Sequence, residues 1–320
     1  MAEISFLKNR DKIIKEVRKY FSDMGYLEVE TPVLSPSLIP ESHIEVFSSK
    51  LLNPYKDEKE FYLTPSPEIW MKKLLAEGCS HIFQITKSFR NSEQTGRYHN
   101  PEFTMLEWYS AGADYKDSIM ITENLLDTLA LIFNCNLLKP PCIKISVKEL
   151  FLKHTGIDLE EFKSAKLLTA AIKNAGLGDK SGYTWEEAFN YIFVSIIEPA
   201  LPKEKPVIIT DYPLQIPCLA KKTKDKKWFE RWELYVNGIE LANCYTEETD
   251  KKIIDAFFKE QADLKNNALV NHYIDRAYTE IFSKNFPDCS GVALGIDRLV
   301  MAITGASRIE DVISFTFTTP

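Results

Sequence analysis

The sequence has 320 residues, with 39 lysines and arginines against 46 aspartates and glutamates, a formal net charge of -7. A chain of that length buries roughly three quarters of its unfolded surface in one large core or two modest ones, and its acidic balance excludes charge-driven nucleic-acid binding except through a local basic patch. The six cysteines are scattered, with no Cys-x-x-Cys pair and no Cys/His cluster, and no stretch reads as a signal core or a membrane span, so a soluble cytoplasmic protein with reduced thiols is expected.

Ile13, Val17, Tyr20, Phe21 and Met24 recur at helical spacing before Gly25, which predicts an opening amphipathic helix with a left-handed stop. A short strand at Tyr26 to Val29 follows, and Pro32, Pro36 and Pro40 then make a stiff, extended crossing segment. Thr64-Pro-Ser-Pro-Glu puts Pro67 and Glu68 in the first turn of a helix that Gly78 ends. The Glu68 carboxylate either complements the helix dipole or holds a substrate ammonium, and position alone leaves both open.

His81 to Phe89 alternates apolar and polar side chains, and Phe103 to Tyr109 reads as a second strand, so the pair forms an antiparallel hairpin with a long polar loop. Arg90 stands where the first strand ends. Glu107 lies among apolar residues of the second, where an unpaired charge is costly, so both charges call for partners. A helix over Tyr115 to Phe133 follows, with Ile119, Leu125, Leu129 and Ile132 on its buried face. From Val147 to Pro199 the pattern is helical, broken at glycines, with a capping box at Thr184-Trp-Glu-Glu; it predicts a helical insertion at about 148–200 within a single domain spanning 1–320.

Pro206 to Asp211 reads as a buried strand, and Lys221 to Lys227 as a basic loop that is either solvated or in contact with an acidic partner or phosphate. Phe229 to Val236 and Ile239 to Glu247 flank Asn237-Gly238, a strong signal for a tight hairpin. Glu233, Glu240 and Glu247 lie on this hairpin with Asn243 and Tyr245, and Glu233 meets Glu240 on one face only if the register allows it. Carboxylates gathered there need cations, either metal ions or a substrate amine. Two helices are predicted next, Ile253 to Leu264 and His272 to Lys284. Finally a glycine-punctuated strand from Cys289 turns directly into a helix whose first turn carries Arg298, a combination suited to an anion.

The chain thus offers two arginines near a glutamate-rich sheet, without a Gly-x-Ser-x-Gly elbow, a His-Glu-x-x-His pair or a Gly-Lys-Ser/Thr phosphate loop. That inventory suits chemistry done by positioning, in which cations neutralise a polyphosphate while a substrate carboxylate attacks it.

Three stretches, taken in order, carry a resemblance. Met24-Gly-Tyr-Leu-Glu-Val-Glu-Thr-Pro resembles motif 1 of the class II aminoacyl-tRNA synthetases, Phe89-Arg through Glu107-Trp-Tyr resembles motif 2, and Gly295-Ile-Asp-Arg resembles motif 3. Thr64-Pro-Ser-Pro-Glu, His99-Asn-Pro-Glu-Phe-Thr-Met-Leu-Glu-Trp-Tyr and Gly238-Ile-Glu-Leu-Ala-Asn are similar to the lysyl-tRNA synthetase core. The chain begins at the motif 1 helix, leaving no room for an N-terminal anticodon-binding barrel, and so looks like the truncated lysyl paralogues that act on elongation factor P. The resemblance implies an α+β class II catalytic fold, an antiparallel sheet flanked by helices, with no anticodon-binding domain.

It also implies roles. Arg90 would hold the α-phosphate and the amino-acid carboxylate, with Asn91, Ser92, Glu93, His99, Asn100 and Leu241 near ATP. Arg298 would take the γ-phosphate beside Gly295, and Glu233 and Glu240 would hold Mg²⁺. Ser66, Pro67 and Glu68 would meet the amino end of (R)-β-lysine or lysine, and Glu107, Tyr109, Asn243, Tyr245 and Glu247 its far ammonium. The loop between Arg90 and Asn100 is one residue longer than the pattern, which puts the adenine-contacting acid at Glu93. Cys244 and Ala293 stand where the family commonly has glycine. The Ala293 methyl would crowd an α-amino substrate and favour a β-amino one. Motif 1 implies a homodimer. Two rivals to elongation factor P as acceptor are tRNA, against which the net charge and missing barrel argue, and no acceptor at all in a silent regulatory paralogue.

Overall fold

Helix α1 (Ile4–Asp23) buries Ile13, Val17 and Phe21, the stripe its spacing predicts, and the chain leaves it through Gly25 at φ +81°, a left-handed conformation that favours glycine. The computed structural model describes residues 3–92, 95–266, 268–275, 277–283 and 286–317. After α1 come β1 (Leu27–Glu28), β2 (Leu34–Ser35), β3 (Ser48–Leu51) and β4 (Lys59–Leu63); β2, β4 and β3 make a small antiparallel sheet. Helix α2 (Glu68–Ala76) starts directly after Pro67.

The main sheet opens with the hairpin β5 (His81–Phe89) and β6 (Glu102–Ala111), followed by α3 (Tyr115–Phe133) and β7 (Ile143–Ser146). Helices α4 (Val147–Thr155), α5 (Ala165–Asn174) and α6 (Trp185–Ile192) precede β8 (Val207–Pro213), β9 (Trp228–Val236) and β10 (Ile239–Thr246). Helix α7 (Lys251–Lys265), β11 (Cys289–Gly295) and α8 (Ile296–Thr304) complete the chain. The eight strands run in the order β1-β5-β6-β11-β10-β9-β8-β7; the outermost pairs are parallel and the pairs between them antiparallel. The result is the α+β architecture expected, an antiparallel-dominated sheet flanked by helices.

One face of that sheet is the main core. Phe83, Trp108, Val292, Cys244 and Trp232 point into it and pack with Phe21 of α1, Leu125 of α3 and Leu299 of α8. Helices α4 to α6, the last continuing as a π-helical turn at Phe193–Ile197, form a second core against Val207, Ile209, Tyr212 and Tyr235. Ile209 and Tyr235 share the opposite face of the sheet, so these helices cover its outer end and leave the centre open for a site. The capping boxes at Ser146 and Thr184 start α4 and α6. All six cysteines are free, and no helix among the described residues is long and apolar enough to cross a membrane.

Two expectations are corrected. Ile132 is 39% exposed, because the buried stripe of α3 continues from Leu129 to Phe133 instead. The helix expected over His272 to Lys284 is replaced by an extended run and a short 3-10 turn at Tyr278–Ser283. The Tyr273 carbonyl accepts from the Leu38 amide, and Ile274 bridges Leu38, so this backbone is engaged in cross-chain pairing that a helix would forbid. Lys284 lies outside the described residues.

Candidate active site

Side chains alternate along a strand, so register decides which of them meet. Across four strands Glu107 of β6 stands opposite Ala293 of β11, Ala293 opposite Asn243 of β10, and Asn243 opposite Glu233 of β9. The neighbouring row on the same face reads Tyr109, Gly291, Tyr245, Arg231. Glu240 precedes Asn243 by three positions, which in a regular strand would set them on opposite faces. The pairing with β9 shifts between Glu240 and Ala242, and this bulge returns Glu240 to the face of Glu233 and Asn243. The register that Glu233 and Glu240 require is therefore present.

One end of this face is a cleft with about 930 Å³ of empty space, lined among others by Arg90, Asn100, Phe103, Glu240, Asn243 and Arg298. His99, Leu241, Ala293 and Gly295 also border it. Arg298, in the first turn of α8, is clamped across the cleft. Its guanidinium donates to the Glu240 carbonyl at 2.8 Å and to His99 Nε2 at 2.8 Å, and lies 3.7 Å from the Glu240 carboxylate. Arg90 lies over the Phe103 ring, 5.3 Å from its centroid, and its Nε is buried with no partner among the described residues. A buried charged donor in that state is prepared for an anion.

The flanking loop is built by its own polar groups. Asn100 donates to the Glu102 carbonyl at 2.6 Å and accepts from the Phe317 amide at 2.9 Å, which fixes the loop against the C-terminal segment. Asn91 spends its side chain on the Val46 carbonyl, at 3.2 Å, and on the Ser92 amide, at 2.9 Å, and Ser92 has φ +56°. Neither Asn91 nor Ser92 lines the cleft. Glu93 lies outside the described residues. Gly295 has ordinary room, since an added Cβ would meet Arg298 Cδ at 3.8 Å.

The acids gather deeper in the sheet, away from the arginines. Glu107, 3% exposed, accepts from the Tyr109 hydroxyl at 2.7 Å. Burial, and then the charge of Glu68, pushes its carboxyl up to about 8. Glu68 begins α2, with its amide donating to Ser66 Oγ at 3.3 Å. Glu247, just past β10, is pushed up to about 7 by burial, against the pull of Lys72. Between Glu68 and Glu247 sits Lys72, 1% exposed, its ammonium 2.6 Å from each carboxylate. Burial lowers that ammonium, but Glu247 and Glu68 together hold it well above its ordinary value. Asn243 links the two ends. It donates to the Tyr245 hydroxyl at 3.2 Å, while its buried Oδ1 has no partner among the described residues.

Glu233 accepts from Arg231 at 2.6 Å and from the Tyr235 hydroxyl at 3.0 Å. Glu240 is pushed up to about 7 by burial and then by Glu233, with Arg298 opposing. A carboxylate raised by burial and by a neighbouring carboxylate on the same sheet face offers oxygen donors of the sort a hard divalent cation suits. Among the described residues no group of three or more histidine, cysteine, aspartate or glutamate side chains has metal-binding geometry.

The sequence that builds this arginine-lined cleft and the sheet that turns into a helix at Gly295 has relatives among known proteins. Residues 3–319 match the model of the class II tRNA synthetases (D, K and N). The chain belongs to that family. This synthetase-family chain is 38% identical over 98% of its length to the elongation factor P–(R)-β-lysine ligase of Salmonella arizonae, covering 96% of that protein, and 37% identical over the same shares to the ligase so named in Avibacterium paragallinarum. Within the class II synthetases it belongs with these ligases. It is accordingly an enzyme, an ATP-dependent ligase.

Several residues that shape this synthetase-type site were not singled out from the sequence. Phe103 is the face on which Arg90 rests. Arg231 covers Glu233 and stacks on Tyr212 at 4.4 Å. Asp297 pairs with Arg10 of α1 at 2.5 Å and accepts from the Thr104 amide at 2.8 Å, which locks the arginine-bearing helix to α1 and β6. Lys72 gave a signal that could have been read, since it shares with the buried Ile69 and Leu75 a stripe of period three on α2. The basic loop is partly structural: Lys221 pairs with Asp288 at 2.5 Å and Lys227 with Glu160 at 3.1 Å.

Proposed function

We propose that this ligase activates (R)-β-lysine, or lysine less well, with ATP as an aminoacyl adenylate and passes the acyl group to the ε-amine of a lysine on elongation factor P. One observation carries this reading: Arg90, whose buried Nε has no partner among the described residues, borders one end of a sheet face, and the carboxylates of Glu68, Glu107 and Glu247 gather at the other, joined by the Glu107–Ala293–Asn243 row. An amino acid with a carboxylate at one end and ammonium groups beyond it matches that polarity.

In this reading Arg90 receives the substrate carboxylate and the α-phosphate, and aligns them so that a carboxylate oxygen attacks phosphorus and pyrophosphate leaves. Arg298 meets the outer phosphate from the start of α8, where exposed amides add to its charge. Asn100, His99 and Leu241 border the nucleotide. Glu68, with Ser66 and Pro67 shaping the turn before it, faces the amine nearer the carboxylate, and Glu107, Tyr109, Tyr245 and Glu247 surround the far ammonium. Glu240 and Glu233 would hold Mg²⁺, which would supply charge neutralisation on the phosphates. The adenylate is already an activated acyl group, so the acceptor amine attacks it directly and AMP leaves, without an enzyme nucleophile.

A homodimer formed through motif 1 goes with this reading, supported by the large apolar side chains that β1 and the proline segment expose: Leu27 is 57% exposed, Val33 37% and Leu34 39%. The deciding experiment is mass spectrometry of elongation factor P after incubation with the protein, ATP and (R)-β-lysine. Addition of one β-lysyl mass to a single lysine is expected. Unmodified factor, under conditions where the protein is folded, would overturn the proposal.

A further inference from the structure

Lys72 is out of place as a surface lysine of an amphipathic helix. Its ammonium is enclosed and is reached by Glu68 from its own helix α2, by Glu247 from the end of β10, and by Glu107 and Tyr109 from β6, the Tyr109 ring lying 5.9 Å away. Tyr278 approaches from the 3-10 turn. Glu41, from the segment before β3, borders the group through Glu68, which after burial does most to raise it; Arg90, Lys265 and, most weakly, Lys72 oppose. The inner group is therefore three carboxylates around one ammonium. With all three ionised, that leaves two negative charges unbalanced, as many as lysine or β-lysine has ammonium groups.

We infer that Lys72 is a positioning residue of the amine pocket: its fixed ammonium draws Glu68 and Glu247, which come from different elements, onto one point and leaves the second oxygen of each to a substrate ammonium. The inference rests on the amino-acid reading above. Lys72 engages Glu68 Oε1 and Glu247 Oε2. The remaining Glu247 oxygen lies over Gly291, on the row between Tyr109 and Tyr245, where the sheet lacks a side chain. Two buried carboxylates deprived of their shared cation would repel one another and take up protons at higher pH, and in that state they no longer accept an ammonium. Lys72 thus acts on the substrate through the two acids and without touching the reacting atoms.

The test is pyrophosphate exchange by the full-length protein, with lysine and (R)-β-lysine varied, for Lys72→Met and Lys72→Arg. For Lys72→Met the amino-acid KM should rise about ten-fold or more and the acid limb of kcat/KM should move up by about one to three pH units, while the KM for ATP stays within about two-fold. Lys72→Arg, which keeps the charge, should hold the limb at its wild-type position. A Lys72→Met protein with wild-type amino-acid KM and pH profile would overturn the inference and leave Lys72 a packing cation. If Lys72→Met does not fold, a limb displaced in Lys72→Arg as far as in an uncharged Lys72→Gln variant would overturn it. Wild-type protein that exchanges with neither amino acid would instead sink the amino-acid reading itself.

Discussion

Gly291 lies so close beneath Glu247 that a Cβ built on it would stand 2.4 Å from the carboxylate Oε1, and 2.5 Å from the ring of buried Tyr109. No such contact survives without movement, and neither neighbour is a free-swinging chain end, since Tyr109 is bonded to Glu107 and Glu247 to Lys72. Gly291→Ala should therefore displace Glu247 and Tyr109, which the proposed function sets around the substrate amines. Overpacking of this kind costs about 1–3 kcal/mol. The expected result is a lower melting temperature and a raised amino-acid KM in pyrophosphate exchange with the ATP KM little changed. A variant with wild-type values for both would show that the pocket floor yields freely.

Ala293 is one row nearer the arginines, flanked by Glu107 and Asn243. In the proposed reading its methyl stands on the floor that the substrate's carboxyl end crosses, and removing it opens room for an α-amine. Ala293→Gly should improve kcat/KM for lysine relative to (R)-β-lysine by about ten-fold, the usual worth of one methyl in a shaped pocket. Exchange assays with the two amino acids, run side by side, give the ratio. An unchanged ratio would remove Ala293 from the account of specificity.

Much of this arrangement is legible in the residues. The hairpins, α3 and the strand that becomes α8 follow from alternation, from caps and from Asn237-Gly238, both of which adopt the positive φ that a tight hairpin turn requires. Charge stranded among apolar residues pointed to Glu107. The bulge at Glu240 to Ala242 was not legible, because a one-residue offset leaves no mark on an alternating pattern, yet it decides which acids share a face. The dual engagement of Lys72 was hidden for another reason. A lysine four residues after a glutamate on a helix ordinarily makes a surface pair, and here the second partner, Glu247, is 175 positions away. The 3-10 turn at Tyr278–Ser283 escaped prediction because pairing with Leu38 was decided by distant chain.

Glu107 sets the pH response. Its ordinary value is 4.5 and its folded one about 8, so between those pH values the folded protein retains a proton that the unfolded chain has lost. Stability of the protein alone should fall as pH rises through that window, and Glu247, raised to about 7, acts in the same direction. A substrate ammonium reverses the sign, because it favours the ionised carboxylate. Lysine should therefore raise the melting temperature more at pH 8 than at pH 6, and Glu107→Gln should flatten the decline between them. Calorimetry at the two pH values, with and without lysine, makes the comparison; a ligand effect larger at pH 6 would contradict the assignment.

Arg298 separates geometry from charge at the other end of the cleft. Its fork reaches the Glu240 carbonyl, His99 Nε2 and, at 3.4 Å, the Tyr98 carbonyl, so it ties the bulged strand to the loop above the arginine-lined cleft. A lysine has the charge but cannot make those directed contacts together. If the fork holds the loop in the geometry needed for phosphate transfer, Arg298→Lys should lower kcat for pyrophosphate exchange by about 10²–10³-fold, in the range seen when one preorganised donor is lost. His99→Ala removes the imidazole that faces Arg298 and keeps the guanidinium, so its effect should be about ten-fold or less on the same scale. The amino-acid KM should move little in either, because Lys72, Glu68 and Glu247 lie at the far end of the sheet face. A lysine variant as fast as wild type would mean that charge alone suffices at this position, and an alanine at His99 as damaging as Arg298→Lys would place the decisive contact on the loop.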